Sequence, residues 1–515
     1  MTGIPWLTLL TLLPLAGGLL ALASGSARRA RWIAVCIAVA SLALALFLWH
    51  RFDPSSAVMQ FVEFHPWLPG LNAEYHLGVD GIGLLMLLLS AIVTLMSLAA
   101  SWKNERHDSL YLALVLFLES GLFGTFTVLN FIHWFFFWEL SLIPAFFLVS
   151  LYGGPQRARA ATQFFVYTMV GSVAMLLAFL ALFLATGRFD FIDLAQMALD
   201  GRLSASITAN LHWFGWSGDQ IATLIFCGAF LGFAVKVPIV PFHTWLPSTY
   251  AEAPSATTML LTGAMSKMGV YGFLRIMLPI FPAQMQKALT PLLWLAVASI
   301  VLPAFSACVQ KDLKRIFGYS SINHLGYCLL GICAAVSISD PASSQEKAAA
   351  LNGVALQMFN HGLTAAALFW FLSLLEGRSS GLRGLNDFGG LRKPAPVFCG
   401  LMGIAIFSSL GLPGLNGFPG EFLIFKGSFP LIAPASSLSV LGLMMTAVFL
   451  LTILQKVFFG PVADRWASFP DLSTTERLAL VPAFALMLLL GLYPQLILGV
   501  VNTTMMRLVS ALRLP

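Results

Sequence analysis

Apolar stretches of roughly twenty residues, each long enough at helical rise to cross about 30 Å of hydrocarbon, recur along this chain from end to end. Their pattern places about fourteen of them, beginning near Ile4, Trp32, Gly81, Tyr111, Phe131, Phe164, Ile221, Thr258, Leu292, Ile322, Leu351, Val397, Leu438 and Leu478. The predicted fold is therefore all-α, a polytopic membrane protein. Of the 515 residues 58% are hydrophobic and only 10% charged, with a mean hydropathy of +0.86, far from a soluble domain. The net charge of +6 does not point to nucleic acid, because the basic residues occur as short clusters between the apolar stretches. The fourth and fifth stretches lie so close around Asn130 that a tight hairpin must join them, and the twelfth is interrupted internally.

Those basic clusters set the topology. One series of alternate loops holds Arg28, Arg29 and Arg31, then Lys103 and Arg106, Arg157 and Arg159, Lys311, Lys314 and Arg315, and continues to Arg465 and Arg477. The other series is sparse in lysine and arginine, so the positive-inside rule makes the first cytoplasmic and turns both termini outward. Ala21-Leu22-Ala23 before Ser24 resembles a signal-peptidase site, but no positive charge precedes the apolar region and the arginines follow it. It reads as the first membrane helix. Cys36, Cys227, Cys308, Cys328, Cys333 and Cys399 are scattered through apolar stretches without C-x-x-C spacing, and read as small buried hydrophobes rather than cluster or zinc ligands.

Ionisable residues inside the spans carry the functional signal. Lys236 stands in Phe230-Leu231-Gly232-Phe233-Ala234-Val235-Lys236-Val237-Pro238-Ile239-Val240-Pro241, where an ammonium costs on the order of 3 kcal/mol by insertion scales. Pro238 and Pro241 each remove a backbone donor, so the carbonyls of Ala234 and Val237 are expected to be freed beside the lysine and opened to water. A second break follows at Gly411-Leu412-Pro413-Gly414-Leu415-Asn416-Gly417-Phe418-Pro419-Gly420, with Glu421 immediately after it. This run lacks G-x-G-x-x-G after a strand, so no nucleotide site is read there. Two interrupted spans at corresponding places point to a transporter of inverted repeats. The expected organisation is N-terminal helices over 1–105, a first repeat over 106–278, a second over 290–460 and a C-terminal helix over 461–515.

Glu139, in Phe135-Phe136-Phe137-Trp138-Glu139-Leu140, has no snorkelling route and needs a partner, for which Lys236 is the expected one. Lys267, among Gly263, Ala264, Ser266 and Gly269, would be the next proton site. His324 and His361 carry imidazoles, the side chain whose unperturbed range lies nearest neutral pH, and would bridge the halves, although polar side chains also serve as helix-to-helix glue. His243, beyond the first break, would serve an outlet or fix its loop. Glu119, Lys426 and Lys456 are as readily structural, Asp80 is expected to cap the third helix, and Asp312 to be balanced by Lys311, Lys314 and Arg315.

Glu139, the P-x-x-P and H-T-W-L-P continuation after Lys236, Lys267, the Lys311-Asp312-Leu313-Lys314-Arg315 loop with Ser320-Ser321-Ile322-Asn323-His324-Leu325-Gly326, and the glycine-proline break before Glu421 together resemble the antiporter-like subunits of respiratory complex I. Within that family the L-type and N-type have lysine where this chain has Glu421, whereas the M-type has glutamate. The resemblance implies a proton-translocating membrane subunit of a bacterial NADH-quinone oxidoreductase in the inner membrane. It further implies an input half-channel near Lys236, a central Lys267, a histidine bridge and Glu421 as the terminal site of the second half. Neighbouring antiporter-like and other membrane subunits would be its partners. NADH, FMN, iron-sulfur clusters and quinone would belong to those partners, with no redox step, cofactor or metal in this chain. A subunit of a sodium/proton antiporter complex or a membrane-bound hydrogenase shares most of these motifs, and a passive membrane scaffold is the reading of another class.

Overall fold

The computed structural model describes residues 4–68, 70, 73–102, 108–337 and 341–512, so Lys103 and Arg106 of the basic loops lie outside the described residues. The chain opens with two antiparallel helices, α1 (Trp6–Ala23) and α2 (Ala27–Arg51), followed by a hairpin of β1 (Gln60–Leu68) and β2 (Ala73–Val79). The first group of long helices is α3 (Gly81–Ala100), α4 (Ser109–Thr127), α5 (Phe131–Tyr152) and α6 (Arg157–Thr186). Two short helices, α7 (Phe191–Leu199) and α8 (Arg202–Asn210), lead into α9 (Gly218–Lys236) and the short α10 (Trp245–Glu252). The next crossing is one continuous but irregular rod: α11 (Ser255–Leu260), a π segment (Leu261–Met265), α12 (Lys267–Gly272), a second π segment (Phe273–Met277) and α13 (Leu278–Ile280). After α14 (Pro282–Lys287) come α15 (Leu289–Val309), α16 (Leu313–Val336) and α17 (Ser344–Arg378). The chain continues through α18 (Pro396–Ser409), α19 (Gly417–Leu431), α20 (Ala433–Phe458), α21 (Thr474–Leu492) and α22 (Gln495–Ala511).

Local chemistry sets many of these boundaries. Asp80, Asp108, Asn130, Asp190 and Asp312 each accept a backbone NH at the start of their helix, and Ser217 and Ser473 form capping boxes with Gln220 and Glu476. The Asn130 cap makes the expected tight hairpin between α4 and α5. Asp312 is structural, as expected, but its ionic partner is Arg383, at 2.7 Å, from a loop seventy residues away in sequence rather than from its own basic loop.

Eleven helices among the described residues are long and apolar enough to cross a bilayer. Three of the fourteen expected stretches fall outside that group: the rod Ser255–Ile280, α16, and the α18–α19 pair, which is two short helices of 14 and 15 residues. These three hold Lys267, His324 and Glu421, but they fall short in different ways: the rod and the α18–α19 pair are divided into short pieces, whereas α16 is unbroken and diluted by polar residues such as Ser320, Ser321, Asn323 and His324. Around them the bundle is apolar outside as well as inside: α6 presents Val166, Val170, Val173, Leu177, Leu180 and Leu184 on its outer side, at helical spacing, as a lipid-facing helix requires.

Three features depart from the sequence reading. The antiparallel hairpin β1–β2 interrupts an otherwise helical chain, and its outer strand alternates too weakly to be read as a strand. A further helix, α22, follows α21. The cysteines are not uniformly buried: Cys328 and Cys333 are, Cys308 and Cys399 are half-buried, and Cys36 and Cys227 lie on the outer surface, where a small apolar side chain meets lipid.

The two ends of the bundle are chemically distinct. At one, Leu7 N donates to Glu63 Oε1 at 2.7 Å and Thr503 Oγ1 to Pro54 O at 2.7 Å, which brings the start of α1, the hairpin region and α22 together. Asn352, near the start of α17, bonds Asn502 there. At the other end of α17, Lys314 pairs with Glu376 at 3.0 Å and Arg378 with Glu476 at 2.6 Å, so residues of the basic loops converge on one face.

Candidate functional site

The first half of the site forms where α9 stops. Lys236 is its last residue, 3% exposed, with Nζ 3.5 Å from Ser141 Oγ of α5 and 4.7 Å from the centroid of the Trp138 ring. An indole face is a favourable seat for a desolvated ammonium. Trp138 is itself held by Trp134, Phe233 and a 3.0 Å hydrogen bond to Ser172 Oγ. Glu139 is half-buried on the same turn of α5, and its Oε1 has no hydrogen-bond partner among the described residues. Its charge acts on Lys236, but through space. The expected direct pair is replaced by the contacts of Lys236 with Ser141 and Trp138.

The break after Lys236 is also more tightly closed than expected. Pro238 does release the carbonyl of Ala234 from its usual partner, yet Ile239 N takes it at 2.9 Å in a π-type bond, and the Trp245 indole donates to Val235 O at 3.1 Å. Val240 N donates to Ser299 Oγ at 2.9 Å. The carbonyl of Ala234 is thus satisfied by protein rather than opened to water, as buried backbone must be in hydrocarbon. His243 is half-buried in the loop between α9 and α10, and its Nδ1 has no hydrogen-bond partner among the described residues.

A central chain of side chains lies where the irregular rod crosses α16 and α17. Lys267 has no exposed surface and opens α12, between the two π segments. Ser266 N bonds Leu261 O five residues back, the wider π spacing, which turns the following side chain away from where a regular helix would aim it. Lys267 Nζ donates to Thr262 O and lies 2.7 Å from His361 Nδ1 of α17. The His361 and His324 rings are 5.1 Å apart, centroid to centroid. His324 Nδ1 meets Glu421 Oε1 at 2.9 Å and its Nε2 meets Ser409 Oγ at 3.1 Å. With Nδ1–H facing the carboxylate, Nε2 accepts from the serine while the ring is neutral and donates to it once protonated.

Four residues expected from the sequence, Lys267, His361, His324 and Glu421, therefore form one buried line, drawn from α12, α17, α16 and α19. Lys236 and Glu139 sit apart from it. The two parts are neighbours through close packing of α9 on α12, where a Cβ on Gly269 would sit 2.6 Å from the Val237 side chain.

The surroundings of Glu421 supply groups the sequence reading passed over. Gln357 Nε2 donates to Glu421 Oε1 at 3.3 Å. Asn416, in the middle of the second break, donates its side-chain amide to Asn360 O, accepts on its own backbone carbonyl from Asn360 Nδ2, and accepts on Oδ1 from Ser408 Oγ, which ties α17 to the break. Gly411 has φ +77°, and a Cβ there would lie 2.8 Å from Glu421 Oε2, so the break is shaped to admit that carboxylate. His324, Gln357, Asn360, Ser408 and Glu421 border a cavity of about 10 Å³, the size at which a single water begins to fit. The signal for them was Asn416 between two glycines, a polar residue where a simple helix breaker needs none. Among the described residues no three His, Cys, Asp or Glu side chains converge as a metal site requires.

Comparison with known proteins places this geometry. The family described as NADH:quinone oxidoreductase/Mrp antiporter, TM matches residues 128–450. NADH-quinone oxidoreductase subunit M of Rhodobacter capsulatus is 34% identical over 513 residues, covering 98% of this chain and 96% of that protein. F(420)H(2) dehydrogenase subunit M of Methanosarcina mazei is 33% identical, with 98% of each chain covered. A chain of respiratory complex I from Thermus thermophilus superposes with a TM-score of 0.85 at 28% identity over 98% of this chain and 99% of that one. A chain of the Mrp complex from Dietzia shares the fold, with a TM-score of 0.83 at 20% identity over the full length of both. By the family match and the full-length relatives together, the chain belongs to the membrane-subunit family of NADH:quinone oxidoreductases and Mrp antiporters.

Proposed function

We propose that this chain moves protons across the membrane as the M-type subunit of a bacterial NADH-quinone oxidoreductase. The observation that carries the reading is the buried line Lys267, His361, His324 and Glu421, in which successive groups able to take and give a proton run between helices. A lysine ammonium beside an imidazole nitrogen can pass it a proton, and an imidazole beside a carboxylate can pass it on. Lys236 and Glu139 form the entry side in this reading, with the charge of Glu139 steering when Lys236 is loaded. His243, just beyond the first break, is a relay group of that half in this reading. Glu421, held by His324 and Gln357, is the exit side of the second half. Residues 106–278 and 290–460 are the two inverted repeats, each with its interrupted helix.

The relative from Methanosarcina mazei matches over nearly its full length although its name specifies F(420)H(2) rather than NADH. That supports a membrane role independent of the electron donor, and agrees with leaving NADH, FMN, iron-sulfur clusters and quinone to neighbouring subunits. The apolar outer faces fit lipid and those membrane partners. Outward-facing termini rest on the basic loops and on the meeting of α1 and α22 at the opposite end.

Lys236→Ala in the assembled complex tests the reading. Proton uptake by inverted membrane vesicles is expected to fall at least about tenfold, with the complex still assembled. Full proton translocation by that variant would overturn it.

A further inference from the structure

Glu119 lies in the middle of α4 with no exposed surface, and neither carboxyl oxygen has a hydrogen-bond partner among the described residues. Nor does any cation there form an ion pair with it. Neighbouring residues of α4 are already engaged. A Cβ on Gly121 would sit 2.6 Å from Ser141 N of α5, and Ser120 Oγ donates to Thr11 O of α1 at 2.7 Å. At about 100° per residue, Glu119 points nearly opposite to Gly121, towards α3, where the hydroxyl of Thr94 is its polar neighbour. That hydroxyl gives its own proton to Ser90 O at 2.9 Å. Its proton is therefore turned away from Glu119, an environment that leaves a carboxylate unsolvated and suits a carboxylic acid.

Its depth is fixed by two contacts with the irregular rod. Tyr111 Oη meets Thr257 Oγ1 at 3.3 Å, and Tyr271 Oη donates to Phe126 O at 3.3 Å. Glu119 lies midway between Tyr111 and Phe126, and the midpoint between Thr257 and Tyr271 is Ala264, within one turn of Lys267. Val93, next to Thr94, packs on Gly263 in the π segment that precedes Lys267, 2.8 Å from where a Cβ would be. Ser141, against Gly121, puts Lys236 at the same level.

We propose that Glu119 is a further proton-holding residue of this path, a neutral acid at the level of both lysines that exchanges its proton with the Lys267 side. The inference rests on the proton-translocating reading above. In the step, the O–H bond of Glu119 breaks as an N–H bond forms on the neutral amine of Lys267, and two neutral groups become an ion pair; the reverse step restores them.

The test uses the assembled complex in membrane vesicles, with Lys236→Ala alongside. Infrared spectra of the complex, with and without exchange into heavy water, should contain a protonated-carboxyl carbonyl band that Glu119→Gln removes. The same variant should keep quinone reduction and lower proton uptake at least about twofold. Absence of that band, or full proton uptake by Glu119→Gln while Lys236→Ala is defective, would overturn this inference alone; full uptake by Lys236→Ala would instead overturn the reading beneath it. Should Glu119→Gln not assemble, Thr94→Val supplies the readout: the carbonyl band is expected to shift as the polar neighbour of the carboxyl group is lost, and an unshifted band would overturn the assignment.

Discussion

Gly411 shows how narrowly the site is specified. Its φ of +77° belongs to the left-handed region, where a Cβ costs about 1–2 kcal/mol, and the added atom would also lie 2.8 Å from Glu421 Oε2. Gly411→Ala is thus expected to lower the thermal midpoint of the complex and to push the carboxylate off His324, with proton uptake falling more than quinone reduction. Equal loss of both would mean the strain is spent on assembly instead. The ionisable members of the central line were legible in the sequence because a charge in an apolar span is costly and rare. Their order was not. His324 and Glu421 are 97 residues apart and touch only because α16 and α19 pack, and Ser409, Gln357 and Asn416 carry no charge to betray them. The Lys236 break failed differently: proline does free the Ala234 carbonyl, but a π-type bond from Ile239 recovers it, which local rules about proline do not contain.

Helices α17 and α19 hold the second half of the line together by close approach. Gly353 on α17 would place a Cβ 2.5 Å from Ile424 N, and Gly427 on α19 faces Ala350 with equally little room. Small residues at such crossings let backbones approach where there is no hydrophobic drive between helices in lipid. Gly353→Leu is expected to cost about 1–3 kcal/mol through overpacking and to separate Glu421 from His324. Thermal unfolding of the purified complex and proton uptake should both register it, whereas a lipid-facing change such as Leu177→Ala should leave uptake intact. The existence of most membrane helices was legible, since a stretch of about twenty apolar residues has few alternatives. The π segments, the β1–β2 hairpin and α22 were not, because each is decided by what packs against it rather than by its own composition.

At the scale of the molecule, the basic loops hold the bundle together at one face. Arg383 Nε bonds Asp312 Oδ2 at 2.7 Å, its Nη2 lies 3.5 Å from Glu252 Oε1, and its Nη1 donates to Ala251 O. Ala251 and Glu252 end α10, Asp312 caps α16, and Lys314 Nζ adds bonds to Glu376 and to Ala253 O. One guanidinium thus joins α10, α16 and the loop after α17 at one face. Arg383→Ala is expected to cost about 1.5–3 kcal/mol, the range for hydrogen bonds to charged groups, seen as a lower thermal midpoint and less assembled complex on native gels. Arg383→Lys should recover only part of this, because a compact ammonium lacks the wide planar fork with which the guanidinium reaches all three acceptors. A midpoint unchanged in both variants would show that the face is held by other contacts.

The rod that carries Lys267 is wound with two wide turns, one on either side of the lysine. A wide turn holds one residue more than a regular one. Placed on both sides of Lys267, the two turns hand its ammonium to His361 of α17 while the rod still runs from Ser255 to Ile280 as one crossing.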